Sequence, residues 1–279
     1  MSWNSVVRRT AKRCLAPILP ERAYKVIQAT SMARDIRSGP YFEPELAIAL
    51  AALSPGDVAL DLGANYGMYA VPMARRTGPT GRVYAFEPVP FTADTLRIVV
   101  RLLRAPNVDI RAQACGSTAG TISFSIPLQG SGAISAGQAH AADRDDERPG
   151  HERHVRWERS RQVQCEVVKI DDALHDVRGV SLIKADIEGM ELYAFHGARR
   201  IIERDLPTVI TEINPWFLDG FGIRLIDMLE FFWTRGYKCY HCDEAAHRLH
   251  ELTVPEEVVE DNYVFVHARR ADRLTAFME

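Results

Sequence analysis

Cysteine is scarce and scattered. The 279-residue chain has five, Cys14, Cys115, Cys165, Cys239 and Cys242, an odd number and too few for a disulfide framework, so a reducing cytosol is the expected compartment. Long apolar runs are missing too. The longest, Leu46 to Leu53, falls far short of the ~20 residues that cross a bilayer. Arg8, Arg9, Lys12 and Arg13 interrupt any secretory signal core at the N-terminus. There is no repeat of fixed period, no low-complexity linker and no G-x-S-x-G segment, so solenoid architectures and Ser-His-Asp hydrolysis find no support. Neither charge sign dominates: 34 Lys and Arg face 37 Asp and Glu.

The charge is unevenly spread. Residues 1–39 carry a net +6 and the remainder a net −9. An acidic body argues against a broad nucleic-acid footprint. In residues 3–18, Trp3, Val7, Thr10, Cys14 and Ile18 recur at helical spacing apart from the basic residues, and Pro17 and Pro20 end the pattern. Such a helix suits packing on the body, a homodimer contact, or peripheral contact of residues 1–20 with an anionic membrane surface. The chain divides into a basic, helical N-terminal extension (1–40), a body (41–270) and a C-terminal tail (271–279).

The body alternates short strands with helices. Strands are expected at 58–62, 82–86 and 108–114, with helices at 45–53, 68–76 and 91–103. The pattern resumes with strands at 121–126, 162–168, 181–185, 207–213, 237–240 and 262–267. A short helical turn is expected at 170–175, one helix over 190–204 and another over 223–234. This alternation indicates an α/β, doubly wound sheet with helices on both faces. The last two strands are expected to pair antiparallel at a sheet edge. Between about 129 and 161 periodicity fails, in a stretch with four glycines and three histidines, His140, His151 and His154. An insertion this long is a lid, a binding loop or disorder.

The strongest local signal is Asp61-Leu62-Gly63-Ala64-Asn65-Tyr66-Gly67, where the first strand hands over to a helix. Ligands of parallel sheets bind beyond the carboxyl ends of strands, and glycines there permit close approach. Asn65 stands where a dinucleotide fingerprint needs its second glycine, which disfavours an NAD-dependent oxidoreductase. The Asp61 carboxylate repels pyrophosphate but suits a cationic amino-acid group. Glu87 ends the second strand, 26 residues on, where an acid accepts hydrogen bonds from ribose hydroxyls. Adenosine with a free ribose fits both signals.

A third segment is Lys184-Ala185-Asp186-Ile187-Glu188-Gly189-Met190-Glu191. Lys184 and Asp186 share a strand face, so they are candidates to pair. Asp186 and Glu188 are also candidate helix caps, and Glu188 and Glu191 suit the positive end of the helix that follows. Glu212 and Asn214 end the next strand. Asp186, Glu212 and Asn214 are therefore candidates for a general base with partners, for Mg²⁺ ligands, or for a hydrogen-bonded support. Cys239-Tyr240-His241-Cys242 looks like half a zinc site, but no second C-x-x-C exists. Trp216, Phe217, Phe221 and Trp233 are candidates for a sugar platform or for core, with core favoured for Phe221 and Trp233.

These motifs resemble the FkbM-type family of S-adenosylmethionine-dependent methyltransferases, over about Phe42 to Val266. The Asp61–Gly67 loop and Glu87-Pro88 are shared with many methyltransferases, and the Lys184–Glu191 stretch is the specific mark. The resemblance implies a seven-stranded Rossmann-like sheet with its last strand antiparallel. It implies that Asp61, Gly63, Asn65, Tyr66 and Gly67 approach the methionine part of S-adenosylmethionine. Glu87 would hold the ribose, and Cys115 and Gly116 would lie near the adenine. It also implies O-methylation of a sugar, glycolipid or secondary-metabolite hydroxyl, with Asp186, Glu212, Lys184 and Asn214 as catalytic candidates and Ser131-Gly132-Ala133 near the substrate. The rival readings are a catalytically silent protein of the same fold, a nucleic-acid methyltransferase and the oxidoreductase.

Overall fold

The structure is a computed structural model that describes residues 19–39, 43–127, 140–141, 160–243, 248–253 and 261–278. The amphipathic helix expected over 3–18, and His151, His154 and Ser131–Ala133, lie outside the described residues.

The main sheet has eight strands: β1 (Val58–Leu62), β2 (Arg82–Phe86), β3 (Val108–Arg111), β8 (Val180–Ala185), β9 (Thr208–Ile213), β10 (Tyr237–Asp243), β11 (Arg248–Glu251) and β12 (Asp261–His267). Their order across the sheet is β11-β10-β12-β9-β8-β1-β2-β3. The pairs from β3 through β9 are parallel. β12 runs antiparallel to both its neighbours. The doubly wound architecture is thus the expected one, and the strands expected at 237–240 and 262–267 pair antiparallel as expected, with β12 between β9 and β10. The difference is β11, which adds an eighth strand at the edge as the far arm of a hairpin with β10.

Remaining strands form a second sheet of four, in order β4-β7-β5-β6: β4 (Ala114–Cys115), β5 (Gly120–Pro127), β6 (His140–Ala141) and β7 (Ser160–Val168). The single strand expected over 108–114 is therefore two. The chain leaves the main sheet after Arg111, and Ala114 and Cys115 pair with Val167 and Val168. The expected insertion contributes His140 and Ala141 as β6, paired to Ser125 and Phe124.

Alternation within strands sorts the core onto two faces. Ala59, Val83, Ala85 and Leu182 join one cluster, while Leu60, Leu62, Phe86, Ile183 and Ala185 join the other. The first face is covered by α1 (Glu21–Ser38), α2 (Glu45–Ala51), α3 (Ala70–Thr77) and α4 (Pro90–Leu103). The opposite face is covered by α5 (Ile170–Ala173), α6 (Glu191–Gly197), α7 (Arg199–Asp205), α8 (Pro215–Gly220) and α9 (Leu225–Trp233). α1 packs along α4 through Ala29, Ala33 and Ile36, with Lys25 paired to Asp94 at 2.8 Å. Arg273, in the 3-10 segment Ala268–Leu274, pairs with Asp57 at the entry to β1.

The one helix expected over 190–204 breaks at Ala198 into α6 and α7. At that joint Gly197 lies against the second sheet, where a Cβ on it would stand 2.1 Å from the Gly116 carbonyl oxygen. α8 was not foreseen; Pro215 at its start and the Asn214 side chain, which accepts from the Trp216 and Phe217 amides, explain it.

The end of α6 therefore meets the chain leaving β4 backbone to backbone, at Gly197 and Gly116. Gly197→Ala is expected to cost about 2–3 kcal/mol in urea denaturation, while Gly120→Ala, where a Cβ meets nothing within 4 Å, stays within about 1 kcal/mol of the parent. Equal stability of all three proteins would show that the joint yields.

Candidate active site

Strand register gathers the polar groups. Asp61 pairs with Lys184, and Lys184 with Ile210, so Asp61 and Lys184 share a face of the sheet. One step nearer the carboxyl ends, Glu212 pairs with Asn262 on that same face. Beyond these strand ends lies a cleft lined by Asp61, Gly63, Asn65, Glu87, Cys115, Lys184 and Asp186. Seven of the sequence-predicted residues thus meet in one place. Tyr66, Gly67, Gly116, Glu212 and Asn214 are not among its lining residues.

Burial dominates the electrostatics. Asp61 is 2% exposed. It accepts the Ala70 amide at the start of α3, and burial, reinforced by Asp186 and opposed by Lys184, pushes its carboxyl up to about 7. Its Oδ2 finds no hydrogen-bond partner among the described residues, nor does Oδ1 of Asn65. Glu87 is also buried, and pushed up to about 7 for the same reason. Its Oε2 accepts the Asn65 amide at 3.0 Å and its Oε1 the Val89 amide at 2.9 Å. Glu87 therefore builds the loop that it adjoins, holding Asn65 at φ 46°.

The loop glycines serve packing. Gly63 has φ 81°, and a Cβ there would stand 1.9 Å from the Asp186 carbonyl oxygen. Gly67 has φ 89°, and its Cβ would meet the Leu96 side chain at 2.7 Å. Both are required by the protein's own chain, Gly63 because the loop after β8 passes directly over it. That loop is tied by Glu191, whose Oε1 accepts the Ile187 amide at 2.8 Å and the Gly189 amide at 3.3 Å. The side-chain cap expected of Asp186 or Glu188 is not formed at the start of α6; Glu191, which burial pushes up to about 7, ties the preceding loop instead.

Lys184, 2% exposed, does not pair with Asp186 as its spacing suggested. Its Nζ donates to Oδ1 of Asn262 at 2.8 Å and stands 5.1 Å from the Tyr69 ring centroid. Asp186 instead shares a hydrogen bond with Glu212, and burial together with the Asp186 charge pushes Glu212 up to about 8. Asn214 is committed to the start of α8, its Oδ1 accepting at 3.1 and 3.3 Å, which removes it from the candidate ligand set. Among the described residues no group of three His, Cys, Asp or Glu side chains is placed to hold a metal ion. Cys239 and Cys242 lie in cores on opposite faces of the sheet, so one ion cannot bind both. Phe221 and Trp233 pack against the core.

Cys115 and Gly116 separate in role. Cys115 lines the cleft, its thiol pushed up by burial, with Gln113 and Ala114 beside it. Gly116 faces Val167 and Gly197. The cleft also includes Glu43, Met68, Tyr69 and Phe124, which no motif singles out, and Glu188, expected only as a cap. Glu188 lies inside the Lys184–Glu191 segment, whereas Glu43 arrives by accepting from the Tyr69 hydroxyl at 2.7 Å.

The model of the methyltransferase FkbM domain matches residues 61–239. Among solved structures, the chain is similar to a methyltransferase FkbM from Methylobacillus flagellatus KT, at 18% identity and a TM-score of 0.48, over 76% of this chain and 44% of that one. A SAM dependent methyltransferase from Aquifex aeolicus matches at 12% identity and a TM-score of 0.43, over 84% of this chain and 96% of that one. The fibrillarin of Aeropyrum pernix, solved with natively bound S-adenosyl-L-methionine, matches at 17% and 0.41, over 78% of this chain and 73% of that one. The chain thus spans less than half the length of the first of these proteins. Among the described residues no helix is long and apolar enough to cross a membrane.

Raised carboxyl groups give the cleft a pH signature. A carboxylate whose folded pKa exceeds its unfolded value near 4 takes up a proton on folding between the two. Its contribution to stability is fully present below the unfolded value and is lost as pH rises through about 7, where Asp61 titrates. Asp61→Asn is therefore expected to gain about 2–4 °C in melting temperature over the parent on going from pH 5 to pH 8. An equal offset at both pH values would show that burial of this charge is not the cause.

Proposed function

The chain belongs to the FkbM methyltransferase family, whose domain its residues 61–239 match, and from that premise we propose that it transfers methyl from S-adenosylmethionine to a hydroxyl oxygen of a sugar, glycolipid or secondary-metabolite acceptor. The observation that carries the cofactor reading is the convergence of Asp61, Glu87 and Asp186 on one cleft at the carboxyl ends of the central strands.

The residues fit that cofactor. The unpartnered Oδ2 of Asp61 suits an ammonium group, which repays the burial of its charge. Glu87 has spent one lone pair of each oxygen on an amide and keeps acceptor capacity for ribose hydroxyls. Gln113, Ala114 and Cys115 form a lining suited to the adenine side. Bound there, S-adenosylmethionine supplies an electrophilic methyl group on a cationic sulfonium.

A hydroxyl acceptor must give up its proton as it is methylated, so a positioned base lowers the barrier. Asp186 lines the cleft, and Glu212, outside that lining, shares a hydrogen bond with it. Burial and the neighbouring Asp186 charge push Glu212 up to about 8. The shared hydrogen bond orients the Asp186 carboxyl where an acceptor enters. Asp186 is the base, Glu212 its partner, and Lys184 fixes the field around them through Asn262. A divalent ion has no ligand set among the described residues and is not part of this proposal.

Calorimetric titration of S-adenosylmethionine and S-adenosylhomocysteine is expected to give binding that weakens about ten-fold or more in Glu87→Ala. Absence of heat at millimolar ligand from folded protein free of co-purified ligand would instead leave a catalytically silent member of the fold. Asp186→Asn is expected to cut turnover on the order of 10²-fold while changing cofactor affinity little. Unchanged turnover removes Asp186 from the chemistry.

A further inference from the structure

Three large hydrophobic side chains are exposed among the described residues: Val26 at 51%, Ile27 at 44% and Leu102 at 42%. All three lie on the outer layer formed by α1 and α4. Val26 and Ile27 share the outward side of α1 with Thr30, Arg34 and Arg37, and Leu102 lines a groove with Thr30, Arg34 and Arg37. Arg37 donates to the Leu102 carbonyl at 3.2 Å, which joins the two helices.

The same layer concentrates positive charge. Arg22, Arg34, Arg37, Arg101 and Arg104 are exposed, and the accessible acids of these helices are already paired, Glu21 with Lys25 and the half-exposed Asp94 with Lys25 and Arg97. None of the five arginines has a carboxylate within 4.0 Å among the described residues. The chain just before α1 continues the pattern in composition: residues 1–18 hold four basic side chains and no acid. Everything beyond residue 39 is net −9, so a cationic face here is a local concentration against the trend of the molecule.

We propose that the α1–α4 face docks on an anionic lipid bilayer, with Val26, Ile27 and Leu102 entering the acyl boundary and the five arginines meeting headgroup charge. Charge complementarity selects this occupant. A second copy placed on the same face would set five arginines against five, and nucleic acid would leave three aliphatic side chains facing phosphate. The face adjoins the cleft, because Tyr24 of α1 packs with Val89, a cleft residue, and with Phe91 at 5.9 Å between ring centroids. A docked molecule thus holds its cleft near the bilayer surface, the place where a lipid-linked acceptor is presented; this last step alone rests on the proposed methyl transfer.

The test is sedimentation of the full chain with vesicles of phosphatidylcholine, with and without phosphatidylglycerol, and without a methyl donor. Binding is expected with the anionic vesicles, falling as salt is raised. Arg34→Glu with Arg101→Glu is expected to weaken it about ten-fold or more, and Val26→Ser with Ile27→Ser to weaken it without changing the salt dependence. Far-UV circular dichroism and cofactor titration should match the parent, since neither pair touches the cleft. Equal binding to neutral vesicles, or binding unmoved by the charge reversals, overturns the proposal. So does a dimer in solution, or retention of RNA, that these substitutions abolish.

Discussion

Lys184 carries its charge into the centre of an eight-stranded sheet, and the polar arrangement around the cleft follows from how that charge is met. A buried ammonium must be bonded and balanced, or folding loses several kcal/mol. The direct bond comes from Asn262 on β12, and the Tyr69 ring covers another side. Balance comes from carboxylates on three other elements, Asp61 on β1, Glu45 on α2 and Glu212 on β9, each of which feels the lysine. Placing β12 between β9 and β10 is what brings Asn262 within reach. The strand order and the charge network are thus two views of one constraint.

Lys184 does not settle all the acids near it. Burial leaves Asp61, Glu87 and Glu191 titrating near 7 and Glu212 near 8. Such groups are held in an unfavourable state by packing elsewhere, and a cationic ligand that binds only the folded chain relieves them. Glu191 and Glu87 also shape backbone, Glu191 gathering two amides of one loop and Glu87 one amide from each of two loops that line the cleft. The site is therefore rigid where it turns and electrostatically unsatisfied where it opens.

Much of this was legible in the residues, for definable reasons. β1 and β2 have the predicted bounds, because short apolar runs between turn residues leave little choice, and the cleft falls at the Asp61 loop and Glu87 as strand-end logic requires. What escaped is long-range. Asn262 is 78 residues from Lys184, and no periodicity announces such a bond. Asp186 and Glu212 find each other across adjacent strands, whereas spacing favoured Lys184 for Asp186. The glycines of the Asp61 loop looked like ligand clearance and prove to be clearance for the protein's own backbone at Asp186 and for the Leu96 side chain. The helix that periodicity alone would continue breaks at Ala198, just after Gly197 meets the backbone of Gly116 in the chain leaving β4.

β5 and β7 pair along their whole length, and the last partners are Pro127 and Ser160. The two ends of the intervening stretch are thus clamped side by side at the rim of the second sheet, whose Phe124 and Cys115 reach the cleft. Closing a longer or shorter loop on such a stem costs free energy only as the logarithm of its length, about 0.6 kcal/mol per doubling. The stem works as a socket. Chain can be exchanged there over evolutionary time, and with it whatever that chain recognises, while the ladder and the buried carboxylates below remain in register.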